Sequence, residues 1–404
     1  MAWKESSVKN QRKLFIDCYV DNKFSIAELC RQFDISRPTG YKWIERYELE
    51  GIEGLVDQSK APIVQVNATS PLIIDDILEV KFKYPNWGPK KIRGYLVCKE
   101  PTVPFPSITT ISNILAKNGL VKPRKFRKRF PEKSTPLSHA NMSNSVWSVD
   151  FKGWWITKDG HKCDPFTLTD NYSRYILRCL KLDGNDFNHC WAILDAAFRE
   201  YGLPNFMRHD NGPPFATASA GRLSRLSVNL IKAGVIPEWI EPGNPQENGR
   251  HERMHGTLAQ EAVYPDLNLK EQQLALAKYV DYFNYERPHE ALGQVTPGSI
   301  YTPSLRSWNG RLVPPEYSKE YSVAKVASCG KFSWKGHSVY VGRVLSAEPI
   351  GLKEADNGTI EAYYGEIFLG TLTNNYELEV LRRPGRVKKG NYSKFKKTNN
   401  LPKI

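Results

Sequence analysis

With 404 residues the chain has room for two or more domains, since one domain usually takes roughly 100–200. Its 57 Lys and Arg against 43 Asp and Glu leave a net charge of +14, which suits a polyanionic partner, nucleic acid first and an acidic membrane second. An apolar share of 40% with ten tryptophans excludes global disorder, and no apolar run of roughly eighteen residues offers a membrane span. The seven scattered cysteines form no CxxC pair, which excludes a zinc knuckle or disulfide framework; a cytoplasmic protein with reduced thiols is expected.

The first sixty residues read as helices. Ser25 followed by Glu28 is a capping box for a short helix through Phe33. A turn at Asp34-Ile35 comes next, and Ser36 caps a second helix carrying Arg37, Thr39, Tyr41 and Lys42, the residues expected to meet DNA. Two short helices across a tight turn make a helix-turn-helix pattern over 1–60, with a plain helical hairpin as the alternative. A second such module is expected over 61–121. There a helix from Leu72 ends near Tyr84-Pro85, another starts at Pro89, and Ser107 caps "ITTISNILAKNGL", with Thr109, Thr110 and Asn113 as its DNA-facing residues. The segment 122–140 holds Lys122, Arg124, Lys125, Arg127, Lys128 and Arg129 around Phe126, and reads as a basic linker tracking phosphates.

From Asn144 strands alternate with helices. "VWSVDFKGW" and "PFTLTDNYSRYILRCLKL" imply three strands, followed in turn by helix, strand, helix, strand and two helices up to about residue 303. That order is a mixed α/β layer on one central sheet. Over 315–380 short strands with Gly turns, among them Asp356-Asn357-Gly358, imply a small all-β barrel or sandwich, with the barrel preferred; 381–404 is a basic tail.

Asp150 lies inside the first strand, where an acid costs several kcal/mol unless ions or hydrogen bonds compensate it. Asp210 ends the fourth strand, at the edge where open α/β sheets place ligands. Hard divalent cations take carboxylate oxygens, and a two-metal site needs about three acids. The third comes from "GNPQENGRHERMHGTL", which offers Glu247 and Glu252. If Asn244 caps a helix beginning at Pro245, Glu247 holds the capping-box place; if the helix begins later, Glu247 is a polar loop residue. Glu252 lies about 140° further round such a helix, so the two cannot share one site. Local physics favours Glu252 as ligand and Glu247 as cap.

"VWSVDFKG", "RHDNGPPF" and "GNPQENGRHERMHGTL" resemble the three signature segments of integrase-core Asp-Asp-Glu transposases of bacterial insertion sequences, whose catalytic domain is shared with retroviral integrases. The match of Pro245-Gln246-Glu247-Asn248-Gly249-Arg250-His251-Glu252 to the family's Pro-Gln-x-x-Gly-x-x-Glu selects Glu252, and "YNYERPHEALGQVTP" resembles the segment closing the catalytic domain. One departure is the 41 residues between Asp210 and Glu252, more than the wider superfamily uses, whereas Glu247 would sit nearer the usual spacing; the excess at 215–227 is expected to be a longer loop.

The resemblance implies an RNase H-like catalytic core over 141–303. It also implies a two-step phosphoryl transfer: cleavage to expose 3′-hydroxyls at the element's ends, then their joining to target DNA. Asp150, Asp210 and Glu252 are the implied catalytic residues and ligands of two Mg²⁺ ions, with Mn²⁺ as a substitute. Arg253 and His255 are expected at DNA, with a plain helix-surface histidine as the alternative for His255; Trp147, Arg287 and His289 fit family positions and are expected to support structure. The implied partners are double-stranded DNA, as transposon ends and target, and further copies of the chain, at least a dimer on paired ends; the implied place is the nucleoid. The rival readings are a sequence-specific DNA-binding regulator without catalysis and an RNase H-like nuclease.

Overall fold

The structure, a computed structural model, describes residues 8–57, 68–121, 140–241, 245–356 and 358–379. The linker cations Lys122, Arg124, Lys125, Arg127, Lys128 and Arg129, the tail 381–404 and Asn244 lie outside them. The chain divides into two units, 1–70 and 71–404.

In the first unit, α1 (Val8–Val20), α2 (Ile26–Gln32) and α3 (Arg37–Glu50) close over Phe15, Ile16, Leu29, Cys30, Trp43, Ile44 and Leu55. The Ser25–Glu28 capping box is formed at α2. Ser36 caps α3, its side chain accepting from the Thr39 N–H, after a turn in which Asp34 takes a φ of 49°. Gly40 lets α3 approach α2, because a Cβ there would come within 2.6 Å of Cys30 Sγ.

The second unit begins with α4 (Pro71–Lys83), α5 (Pro89–Lys99) and α6 (Ile108–Lys117), packed around Ile77, Trp87, Ile92, Ile111 and Leu115. Ser107 caps α6 through the Thr110 N–H. An aromatic stack ties this bundle to the central domain: Tyr84 lies on Trp87 and on Tyr282, and Trp87 Nε1 donates to the Tyr282 hydroxyl at 2.6 Å.

The central sheet has the expected order. Its strands are β1 (Val146–Phe151), β4 (Pro165–Asp170), β5 (Ile176–Lys181), β6 (Phe206–His209) and β7 (Ile236–Trp239), with a small hairpin of β2 (Trp155–Ile156) and β3 (Lys162–Cys163) between the first two. The spatial order is β5-β4-β1-β6-β7; β1 pairs antiparallel with β4 and parallel with β6. Helices α7 (Phe187–Tyr201) and α8 (Arg225–Lys232) cover one side through Leu194, Phe198, Leu226 and Leu230, against Trp147, Val149 and Met207. Helices α9 (Gly249–Glu261) and α10 (Leu269–Asp281) cover the other through Met254, Leu258, Leu276 and Tyr279, against Cys163, Ile176 and Cys179. With both faces covered, β4 is buried along its whole length.

The expected β-barrel is not formed. Strands β8 (Ser322–Lys325), β11 (Pro349–Glu354), β12 (Ile360–Tyr364), β13 (Ile367–Leu372) and β14 (Leu378–Glu379) make an open antiparallel sheet in the order β14-β13-β12-β11-β8. A hairpin of β9 (Lys331–Trp334) and β10 (His337–Tyr340) stands beside it. Closure is unnecessary because the apolar face is already covered: Ile350, Leu352, Ala362 and Leu369 share one core with Phe332 and Val339 of the hairpin and with Ala220, Leu223 and Val228 of the central domain. The edge strands are also short, β14 having two residues and β8 four. The excess residues between Asp210 and α8 are therefore a seat for this sheet. Gly221, at φ 60°, sits where a Cβ would come within 2.9 Å of Leu369 Cδ2 and 3.2 Å of the Phe368 carbonyl oxygen.

Candidate active site

Asp150 is the fifth of six residues in β1, and Asp210 directly follows β6. In the parallel register Ser148 faces Arg208, so two residues further along, Asp150 and Asp210 emerge side by side at the strands' carboxyl ends. Each is oriented by a backbone N–H. Phe151 N donates to Asp150 Oδ1 at 2.8 Å, and Gly212 N donates to Asp210 Oδ1 at 3.0 Å. Glu252 projects from the first turn of α9, exposed. Burial raises the Asp150 carboxyl from its usual range to about 7, and the negative charges of Asp210 and Glu252 push the same way.

Glu247 does a different job. Helix α9 starts at Gly249 after a 3₁₀ turn, Pro245–Asn248, and the Glu247 carboxylate accepts the Glu241 N–H at 2.7 Å, tying that turn to the chain leaving β7. It sits in the turn ahead of a helix that begins late; the expected Asn244 cap lies outside the described residues.

Two further layers support the acids. On β4, Thr167 and Thr169 point the same way by strand alternation; on α9, His251 and His255 lie one turn apart. They interlock: His251 bridges the Thr167 and Thr169 hydroxyls at 2.8 Å each, and His255 Nε2 meets Thr167 at 2.7 Å. Thr167 in turn donates to the Asp150 carbonyl at 2.8 Å. Burial keeps both imidazoles neutral, with His255 lowered to about 4 and His251 held well below its ordinary value. His255, expected at DNA, is thus mainly a buried anchor of α9, although its Nδ1 reaches within 4.0 Å of Asp150 Oδ2. The signal available in the sequence is two threonines two apart in a strand and two histidines four apart on a helix. Asp164 is the other addition: it holds Gly153 N at 3.0 Å, and its charge also reaches Asp150.

Among the described residues no three His, Cys, Asp or Glu side chains close into a ready-made metal cage. The donor set still fits a hard divalent cation, which binds through one or two carboxylates and completes its shell with water and substrate phosphate. Asp150 and Asp210 each have one oxygen engaged by a backbone N–H, and a carboxyl raised by burial and by neighbouring negative charge is one that a cation would relieve.

The other expected residues are scattered. Arg37, Tyr41 and Lys42 are exposed on α3, as are Thr109 and Asn113 on α6. Thr39 and Thr110 are half-buried, with hydroxyls 2.8 and 3.0 Å from Ser36 and Ser107, so each serves its helix cap. Arg253 is exposed on α9. Trp147 is fully buried and donates to Asn144 Oδ1; Arg287 pairs with Glu261; Asp170 accepts from Asn144 N, Ser173 N and Ser173 Oγ and holds the β4–β5 turn.

Residues 140–245 and 233–297 match models of the integrase core domain. The chain carries an integrase core. In front of it, 11–63 match a helix-turn-helix domain and 39–115 a homeodomain-like domain, so this integrase-core chain also has helix-turn-helix DNA-binding domains. It groups with insertion-element proteins. It is 25% identical over 227 residues to the uncharacterized 39.2 kDa protein of insertion element IS476 from Xanthomonas euvesicatoria, covering 55% of this chain and 63% of that protein. It is 24% identical over 182 residues to the uncharacterized 31.7 kDa protein of insertion element IS407 from Burkholderia multivorans, covering 45% of this chain and 63% of that one. The chain thus spans less than two thirds of either relative. Among solved structures, the HTLV-2 integrase catalytic core domain in complex with magnesium aligns along its whole length with 41% of this chain, at 16% identity and a TM-score of 0.33, too loose to add to the sequence matches. No described helix is long and apolar enough to cross a membrane.

Proposed function

We propose that this chain is a transposase that binds the ends of its insertion sequence, cleaves them to expose 3′-hydroxyls and joins those to target DNA. The observation that supports the reading is that Asp150 and Asp210 emerge side by side at the carboxyl ends of β1 and β6, with the charge of Glu252 on α9 also acting on Asp150. In this reading Asp150, Asp210 and Glu252 hold two Mg²⁺ ions, replaceable by Mn²⁺, which supply acidity to the attacking hydroxyl and charge stabilisation to the leaving oxygen. The chain's own contribution is orientation. Backbone N–H groups fix Asp150 and Asp210, while the His251–His255 pair fixes α9 and with it Glu252.

We divide the chain into two DNA-reading modules (1–60 and 61–121), a basic linker, a catalytic core (141–303), a β-rich end (315–380) and a basic tail. Exposed Arg37, Tyr41, Lys42, Thr109 and Asn113 would face the element's ends, and the linker cations would follow phosphates. Pairing two ends calls for at least a dimer working at the nucleoid.

The test is a strand-transfer assay on duplexes carrying the element's ends, with Mg²⁺. Joined products that vanish in Glu252→Gln and persist in Glu247→Gln support the reading. Cleavage without joining would point to a nuclease, and binding without either to a regulator.

A further inference from the structure

Across α9 from the carboxylates lies a cleft of about 280 Å³. Relative to Glu252, the residues Arg250, Arg253 and Thr257 fall within an arc of about 60° centred some 130° round the helix, so the cleft occupies the opposite flank of the helix that carries the candidate acid. Arg174 from the β4–β5 turn, Lys91 from α5 and Arg287 complete its basic lining.

The cations are not balanced locally. Arg287 has Glu261. Arg174 and Arg250 both donate to one neutral acceptor, the Asn171 carbonyl, and Lys91 donates to the Pro288 carbonyl. Two acids stand on the wall, Asp170 held in its turn and Glu290 paired with Lys90 at 2.5 Å, and their charges offset only part of the positive charge of Arg174, Arg250 and Lys91. The Arg253 side chain is exposed and makes no hydrogen bond or ion pair among the described residues. Burial, with Arg287 beside it, lowers Lys91 to about 8; burial, with Arg250 and Arg253 nearby, lowers Arg174 to about 10. Positive groups that outnumber the acids beside them, several partly withdrawn from water, form a site that an anion stabilises.

We propose that this cleft binds a backbone phosphate of the DNA strand engaged at the carboxylates. The helix is roughly 10 Å across, so a strand lying over its N-terminal half presents one phosphate to the acids and a neighbouring one to the arginines. Planar guanidinium groups suit a phosphate held by paired hydrogen bonds. The inference rests on the reading that the core acts on DNA.

The experiment is binding of the full chain to an end-bearing duplex without metal, across a salt series. Each lost phosphate contact lowers the slope of log K against log salt by about 0.9, uniformly across sequences. Arg253→Gln should remove about one such step, Arg250→Gln with Arg253→Gln about two, and Arg253→Lys none. Arg253→Gln alone, on an exposed side chain, keeps the test open if the double variant folds poorly. A steep wild-type slope left unchanged by Arg253→Gln overturns the cleft while the DNA reading stands; a flat wild-type slope overturns both.

Discussion

His255 Nδ1 stands 4.0 Å from Asp150 Oδ2, while its Nε2 is bound to the Thr167 hydroxyl at 2.7 Å. Because that hydroxyl donates to the Asp150 carbonyl, both His251 and His255 must offer it an Nε2–H. Each neutral ring then has a bare Nδ1. That of His251 accepts from Thr169, and that of His255 faces the carboxylate. Two lone-pair groups confront each other until a proton or a cation comes between them.

Asp150→Asn tests this confrontation. A carboxyl raised from 3.8 to about 7 binds a proton in the folded chain that the unfolded chain has released, so metal-free stability falls as pH rises from about 4 to 7 and is flat above. The asparagine variant should therefore melt higher than wild type at pH 8, by at most about 4 kcal/mol at roughly 1.4 kcal/mol per unit, and no higher near pH 4. Mg²⁺ should stabilise wild type and leave the variant unmoved. Thermal melts at several pH values, with and without Mg²⁺, decide it; a variant less stable at pH 8 refutes it.

His251→Ala should cost about 2–4 kcal/mol, because it opens a cavity and strips the Thr169 hydroxyl of its buried partner. Since the folded imidazole titrates well below its usual 6.5, its contribution is full above about pH 6.5 and is lost as pH falls. Urea denaturation of wild type and variant at pH 7.5 and pH 5 should show the gap narrowing at the lower pH.

Glu247→Gln should weaken the bond to Glu241 N by removing its charge, about 1 kcal/mol. The predicted signature is faster amide exchange at Glu241 with strand transfer retained. Loss of joining equal to that of Glu252→Gln would reverse the assignment of the two glutamates.

Trp87→Ala should cost about 3–5 kcal/mol, removing a fully buried indole and its bond to Tyr282. Limited proteolysis should then cut between α4 and α5 sooner than in wild type. Unchanged cutting would mean that the stack does not hold the bundle.

Local rules carry much of this structure. Ser25, Ser36 and Ser107 announce three helix starts because a cap is decided within four residues. Strand alternation around Asp150 and the break after Asp210 locate the sheet edge in the same way. The β-rich end misleads because closure depends on what covers the sheet, and its cover comes from Ala220 and Leu223, more than a hundred residues upstream of most of its strands. The histidine–threonine lattice is hidden for the same reason: each pair is regular in its own element, and only the packing of α9 on β4 joins them. Thr39 and Thr110 look groove-facing in the sequence, but the cap has already claimed them.

The seat beneath Leu369 has a mechanical corollary. The same short span of chain leaves Asp210, gives Asn211 a bond to the Ile240 carbonyl, and passes Arg222 back to Asn211 before α8 begins. Torque on the terminal sheet, such as a partner gripping its open edges would exert, is delivered to the base of an acidic side chain with little slack to absorb it.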